Sequence, residues 1–158
     1  MNDIIDEFWQ LVISEDNKLQ EKGFEKWQLF QKKYPDYGDK IKFALSPDFY
    51  AVYSSTNFHD CDIVGINCEL NRKNKKRIKI YLYDWFNNYG DDVYFIITYD
   101  NIYQYTININ NVEPVISWNN DIIEVVDNYR IRHRILLTDN STIDIMCKTV
   151  GITKITRE

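Results

Sequence analysis

Hydrophobic residues near the start of the chain recur at the 3.6-residue spacing of an α-helix, which places them on one apolar stripe. The stripe consists of Ile4, Ile5, Phe8, Trp9 and Val12. A second helix is predicted over about residues 19–34, with Leu19, Trp27 and Phe30 on or near one face. Pro35 ends this helix, because a residue that precedes proline avoids helical backbone angles.

A third, short helix is predicted over about residues 47–54, beginning at Ser46-Pro47-Asp48. Serine can cap a helix, proline fits the first helical position, and an acid suits the first turn. From Asp60 onward the hydrophobic spacing changes to two, which is typical of strands with one buried face. The chain is therefore expected to have a helical segment over residues 1–35, followed by a short helix and a sheet over residues 45–155.

Two alternating segments on either side of a polar loop at residues 71–76 predict a β-hairpin. The residues expected on its core face are Val64, Ile66, Cys68 and Leu70 in one strand and Ile78, Ile80 and Leu82 in the other. Further strands are predicted over about residues 92–99, 103–109 and 122–126.

The final hairpin has the clearest pattern. Its hydrophobic positions are Ile131, His133, Ile135 and Leu137, followed after a turn by Ile143, Ile145 and Cys147. A two-residue turn at Asp139-Asn140 would place Ile145 opposite Arg134 and mix the two faces. A loop of about three residues places isoleucine opposite isoleucine, so we expect this odd-length loop, with Asn140 or Ser141 in the left-handed conformation.

Together these elements predict one α+β domain spanning residues 1–158. Its N-terminal helices would pack on a mostly antiparallel β-sheet of about six to eight strands, arranged as a meander or a sandwich. With 158 residues, the chain can bury a core without disulfides or metals.

Charge and cysteine content limit the classes of function. The formal net charge is −5, which disfavours nucleic-acid binding and is compatible with a basic protein partner. Cys61, Cys68 and Cys147 have no disulfide or metal-site spacing, so reduced thiols are expected and neither a metal nor a cofactor is predicted. No membrane span or signal peptide is evident, and a cytoplasmic protein is expected.

Phe58-His59-Asp60 lies where the helical pattern gives way to the sheet. Histidine beside aspartate could act as a general base with an orienting carboxylate. Adjacent residues of an extended chain point to opposite sides, however, so we expect a structural role. In that interpretation Phe58 is a core residue, His59 packs at the end of the sheet, and Asp60 hydrogen-bonds loop amides. The sequence lacks the nucleophile-elbow, phosphate-loop, dinucleotide and zinc-protease motifs.

Arg130, Arg132 and Arg134 alternate along one face of a predicted strand. They could bind an acidic partner or phosphate, or they could be neutralised by Asp144 and Glu124 of this chain.

Aromatic residues form the second candidate binding surface. The surplus of tyrosine and tryptophan includes Tyr81, Tyr83, Trp85, Phe86 and Tyr89. The N-terminal helices are expected to cover most of this group. The remainder, with Tyr83, Trp85 and Tyr89 as candidates, would form an exposed binding surface.

The order of these segments resembles a group of small, uncharacterised bacterial domains. They carry a Leu-His-Asp segment before a β-meander and close with a hairpin of this type. The resemblance rests on Phe58-His59-Asp60-Cys61-Asp62-Ile63 and on the two strands of the final hairpin, and it covers roughly residues 45–155. Phe58 stands where leucine is usual, and the N-terminal helices lie outside the match. Some members resemble immunity proteins of polymorphic toxin systems.

Three functions are compatible with the sequence. The first is a non-enzymatic protein-interaction module, an immunity-type protein that neutralises a basic toxin. The second is a small hydrolase or nucleotide-acting enzyme that uses His59 and Asp60. The third is a ligand or nucleic-acid binder that uses the face of Arg130, Arg132 and Arg134.

Overall fold

The computed structural model describes residues 2–55, 58–110 and 114–157. Its helices are α1 (Asn2–Val12), α2 (Asn17–Lys33), α3 (Tyr37–Ile41) and α4 (Pro47–Ser55), with a 3-10 turn at Lys42–Ala44. The three predicted helices are confirmed, and α3 is additional. Helix α2 begins earlier than predicted because the Asp16 carboxylate accepts a hydrogen bond from the Lys18 amide at 2.8 Å and caps its first turn.

The sheet consists of six strands, and each neighbouring pair is antiparallel. The strands are β1 (Asp62–Leu70), β2 (Lys76–Tyr83), β3 (Val93–Asn108), β4 (Trp118–Val125), β5 (Ile131–Leu137) and β6 (Thr142–Thr156). Their spatial order is β1-β2-β3-β6-β5-β4, so β1 and β4 are the edge strands. The predicted class, α+β with N-terminal helices on a mostly antiparallel sheet of about six to eight strands, is confirmed.

The hairpin of β5 and β6 has the predicted odd-length loop. The Leu137 amide donates to the Ser141 carbonyl at 2.9 Å, which leaves residues 138–140 as the turn. Asn140 takes the left-handed conformation with a φ of 63°. Ile135 lies opposite Ile143, as the hydrophobic pattern requires.

Strand β3 unites two segments that the sequence predicted as separate strands. It continues through the polar residues between them, with an irregularity in its pairing to β6 between Ile102 and Gln104. Asn101 has a φ of 53° at this point, which lets the strand accommodate the irregularity without ending.

The predicted core face of β1 is wrong for part of the strand. Val64 and Leu70 are exposed, as is Cys68. The pairing of β1 with β2 shifts between Ile63 and Gly65, which disturbs the alternation of faces. As an edge strand, β1 is also less covered than its neighbours.

The two faces of the sheet are covered differently. On one face, α4 lies over β5, where Phe49 and Tyr53 make ring contacts with His133. We call the side of the sheet that α4 contacts the covered face, and α1 contacts the other side. On the opposite face, α1 lies over β5, where the Trp9 ring is 5.9 Å from the Arg134 guanidinium carbon. Helix α2 packs closely on α1 at Gly23, where the lack of a side chain allows the approach. A Cβ atom added at Gly23 would lie 2.8 Å from the Val12 backbone nitrogen.

Helix α1 therefore contacts the β4–β5 end of the sheet, and the aromatic side chains at the end of β2 remain outside this contact. The sequence-based expectation that the N-terminal helices cover most of the aromatic group is wrong. Trp85 and Phe86 are 63% and 64% exposed. In the three ranges the structure describes, no helix is long and apolar enough to span a bilayer.

Candidate functional site

The turn between α4 and β1 brings His59 and Asp60 together. His59 Nδ1 lies 2.9 Å from Asp60 Oδ2, and both side chains are about half exposed. The expectation that they point apart is wrong because the chain turns here, with Asp60 at a φ of 68°. Phe58 is fully buried against Phe95 and Trp118, as predicted. His59, in contrast, is exposed and does not pack at the end of the sheet.

Arg130 and Arg132 are both paired with carboxylates of this chain. Arg130 Nη2 lies 2.6 Å from Asp127 Oδ2. Arg132 binds Asp144 through two hydrogen bonds, of 2.8 Å from Nε and 2.6 Å from Nη2. This bidentate geometry occupies the groups that would otherwise bind an external phosphate or carboxylate.

Arg134 is buried beneath α1, with 2% of its side chain exposed. Its Nη2 donates to Glu124 Oε1 at 2.8 Å and also to Asp6 of α1. Burial raises the pKa of Glu124, and the positive charges of Arg134 and Arg132 offset only part of that effect. Of the two interpretations of the arginine face, internal neutralisation by Asp144 and Glu124 is therefore the better supported.

Three neighbouring aromatic side chains, of which Trp85 is exposed and the other two are partly buried, form what we call the aromatic patch: Tyr83, Trp85 and Tyr94. The Tyr83 ring centroid lies 5.8 Å from Trp85 and 4.7 Å from Tyr94. Tyr83 and Tyr94 are paired across β2 and β3, so they share a sheet face. The Arg157 guanidinium lies 5.0 Å from the centre of the Tyr94 ring. The patch thus has the edge-to-face and cation–π contacts typical of preorganised interface aromatics.

Tyr89, the third aromatic binding candidate, has a structural position instead. Its ring packs edge-on against Phe95 at 5.0 Å on the covered face. Its amide donates to Asp84 Oδ2 at 2.7 Å, and its carbonyl accepts from Lys154 Nζ at 2.9 Å. Tyr89 therefore holds the loop between β2 and β3 and does not belong to the aromatic patch.

The three cysteines are free and do not lie in a common site. Burial is the main cause that raises the pKa of Cys61 and of Cys147 to about 12. Cys68 is exposed on the edge strand β1. Within the described residues, no group of three histidine, cysteine, aspartate or glutamate side chains could hold a metal ion.

A buried polar network crosses the covered face, and sequence reasoning did not find it. His133 Nε2 lies 2.6 Å from Asp121 Oδ2, and its Nδ1 lies 2.8 Å from the Tyr99 hydroxyl. The indole nitrogen of Trp118 donates to Asp121 Oδ1 at 3.4 Å. The sequence placed His133 correctly on the core face. Asp121, Ile123 and Val125 lie two residues apart and therefore share one face of the strand. This spacing was the available signal that an acid occupies a core position.

A cavity of about 360 Å³ lies beside this network, between α2, α3, α4 and β4. Trp27, Tyr37 and Ile123 are buried in its wall, whereas Gln28 and Ser54 are exposed at its rim. His59 and Asp60 do not line it.

Two tyrosines of this wall cap the outer edge of β4. The Tyr37 hydroxyl accepts a hydrogen bond from the Val125 amide at 3.3 Å, and the Tyr53 hydroxyl accepts one from the Ile123 amide. Burial raises the pKa of Tyr37 to about 12. Helices α3 and α4 thus satisfy amides that an edge strand would otherwise expose for pairing with another chain.

No protein-family model and no curated protein matches this chain. Among solved structures, it is similar to the crystal structure of an uncharacterized protein from Neisseria gonorrhoeae. The two chains are 14% identical with a TM-score of 0.37, and the match covers 60% of this chain and 91% of that one.

Proposed function

We propose that this chain is a non-enzymatic protein-interaction module of the immunity type, which neutralises a toxin by binding it. The observation that carries the proposal is the exposure of Trp85, whose side chain is 63% accessible although its ring contacts Tyr83. A tryptophan held in place by a neighbouring ring, and still open to solvent, loses little conformational freedom when a partner covers it. Tryptophan and tyrosine also dominate the binding energy of many protein interfaces.

Charge supports a basic partner. The chain has a formal net charge of −5. At the aromatic patch, the Tyr83 hydroxyl donates to the Asp92 carboxylate, and exposed Asp91 precedes Asp92 in the chain. These two carboxylates outnumber the Arg157 guanidinium on the Tyr94 ring. Negative potential around an aromatic surface accelerates association with a basic protein and disfavours acidic partners. Some members of the group of small bacterial domains that this sequence resembles are similar to immunity proteins, which agrees with this choice of partner.

The test is co-expression with the product of the adjacent gene, followed by measurement of cell survival and of the affinity between the two purified proteins. Survival and saturable binding are expected. Trp85→Ala should weaken binding by about thirtyfold or more, as for an interface hot spot of about 2 kcal/mol.

Tyr129→Ala is the matched control, because Tyr129 is 70% exposed and lies in the loop between β4 and β5, at the other end of the sheet. It should leave both survival and affinity unchanged. A lack of binding to any neighbouring gene product, together with a lack of protection, would refute the proposal.

The second candidate function is a small hydrolase or nucleotide-acting enzyme. The 2.9 Å contact between His59 Nδ1 and Asp60 Oδ2 favours it, because a carboxylate at this distance can orient a catalytic imidazole. His59→Gln should then abolish hydrolysis of an activated ester or a nucleotide by the purified chain. Equal rates for the two proteins, at the level of the uncatalysed reaction, would exclude this candidate.

A further inference from the structure

We propose that the cavity between α2, α3, α4 and β4 binds a small organic cation, such as an alkylammonium group, among its aromatic rings. This site is separate from the aromatic patch and does not depend on the proposed protein partner.

Six aromatic residues of the described ranges line the cavity. The rings are those of Phe24, Trp27, Tyr34, Tyr37, Tyr50 and Tyr53. Aromatic faces carry partial negative charge and attract cations, and surrounding rings of this kind recognise quaternary ammonium groups. The volume of about 360 Å³ lies at the lower end of the range for ligand cavities, so a small ligand is expected.

The charged side chain in the cavity wall is negative. Among the described residues that line it, Asp121 is acidic and none is lysine, arginine or histidine. The Asp121 carboxylate has no exposed surface, so it acts from behind the wall and does not contact a ligand. Asp121 also acts on the wall itself: burial is the main cause that raises the pKa of Tyr53, and the Coulombic effect of Asp121 adds to it.

The chain itself already places a cation against one of these rings. Lys42 Nζ lies 4.6 Å from the centre of the Tyr50 ring. The same ammonium group is paired with Asp39 at 2.8 Å, which holds it on α3 and its neighbouring turn. Lys42 thus occupies the Tyr50 ring, and its pairing with Asp39 offsets its repulsion of a second cation at the remaining rings.

The test uses choline and its uncharged counterpart, 3,3-dimethylbutan-1-ol, which has the same shape without the positive charge. Binding to the intact chain is followed by calorimetry. Choline should bind saturably, and the uncharged alcohol should bind at least about tenfold more weakly. No saturable binding of choline up to about 10 mM, or equal affinity for the two compounds, would overturn the proposal.

A pair of variants on α2 locates the site. Gln28→Lys places a positive charge at the rim, whereas Leu29→Lys adds the same charge at a residue that is 63% exposed and does not line the cavity. Gln28→Lys should weaken choline binding about tenfold, and Leu29→Lys should leave it unchanged. Equal effects of the two variants would show that choline binds elsewhere. Trp85→Ala should not alter choline binding, which separates this test from that of the partner surface.

Discussion

His133 and Asp121 form a fully buried hydrogen-bonded pair on adjacent strands, with 2.6 Å between Nε2 and Oδ2. They are diagonal neighbours across β4 and β5, because Ile123 lies opposite His133. Through Nδ1, His133 also contacts the Tyr99 hydroxyl of β3. Since water does not reach these atoms, each depends on its partners in the protein. The network links the edge strand β4 to the centre of the sheet.

Replacing Asp121 with alanine should destabilise the chain strongly. The substitution leaves the Nε2 group of His133 buried without this acceptor, which costs about 1–3 kcal/mol. Asp127→Ala is the control, because the Asp127–Arg130 pair is 36% exposed on both sides, and exposed pairs contribute little to stability. Urea denaturation of the two variants measures the difference. Similar losses would contradict the role assigned to the buried network.

Removing Arg134 alone should destabilise the fold more than removing Arg134 and Glu124 together. Arg134→Met leaves the Glu124 carboxylate buried without its main positive charge, at a cost of about 3–5 kcal/mol. The double variant Arg134→Met, Glu124→Leu removes both charges, so much of the lost free energy of unfolding should return. A double-mutant cycle by denaturant unfolding provides the measurement. Additive losses from the two substitutions would show that the ion pair is not coupled.

Asp100 should make folding sensitive to acid. Partial burial alone would raise its pKa, but hydrogen bonds from Arg77 and Asn71 outweigh this effect and hold the pKa below its ordinary value. A lowered folded-state pKa contributes stability above the unfolded pKa, and this stability is lost as the pH falls through the folded value.

Arg77→Gln should therefore raise the pKa of Asp100, measured by NMR titration of its carboxyl carbon. The difference in unfolding free energy between the original chain and this variant should have its maximum value above about pH 5 and should decrease below about pH 4. Arg72→Gln, in the exposed loop between β1 and β2, is the control and should leave the pKa of Asp100 unchanged. A difference that grows as the pH falls would have the wrong sign for this mechanism.

Cys68 should be the thiol that reacts first in the folded chain. Cys61 and Cys147 are buried with pKa values of about 12, so they present little thiolate at neutral pH. With a disulfide reagent such as DTNB, one thiol should react rapidly in the native protein and all three in denaturant. Cys68→Ser should remove the rapid phase. A rapid phase that persists in this variant would contradict the burial of the other two cysteines.

The register and loop length of the final hairpin could be predicted from the local spacing of hydrophobic residues. Alternation of Ile131, Ile135 and Ile143 limited the register to one that keeps isoleucines together, and only an odd loop satisfies it. Asn140 adopts the left-handed conformation with little cost because its short polar side chain tolerates it. The same reasoning placed His133 in the core. It was wrong for part of β1, since alternation alone does not reveal an irregular pairing at an edge.

Local spacing in the sequence determined the three longest helices, the period-two strands and the turn at Asn140, because each depends on residues close together in the chain. Tertiary structure alone decided which faces are covered, since α1 could have packed on either end of the sheet. Its position buries Arg134 and leaves Trp85 exposed. Tertiary structure also brought Tyr99, Asp121 and His133 together from three strands. Contacts between such distant segments depend on strand order, which the spacing of hydrophobic residues does not contain.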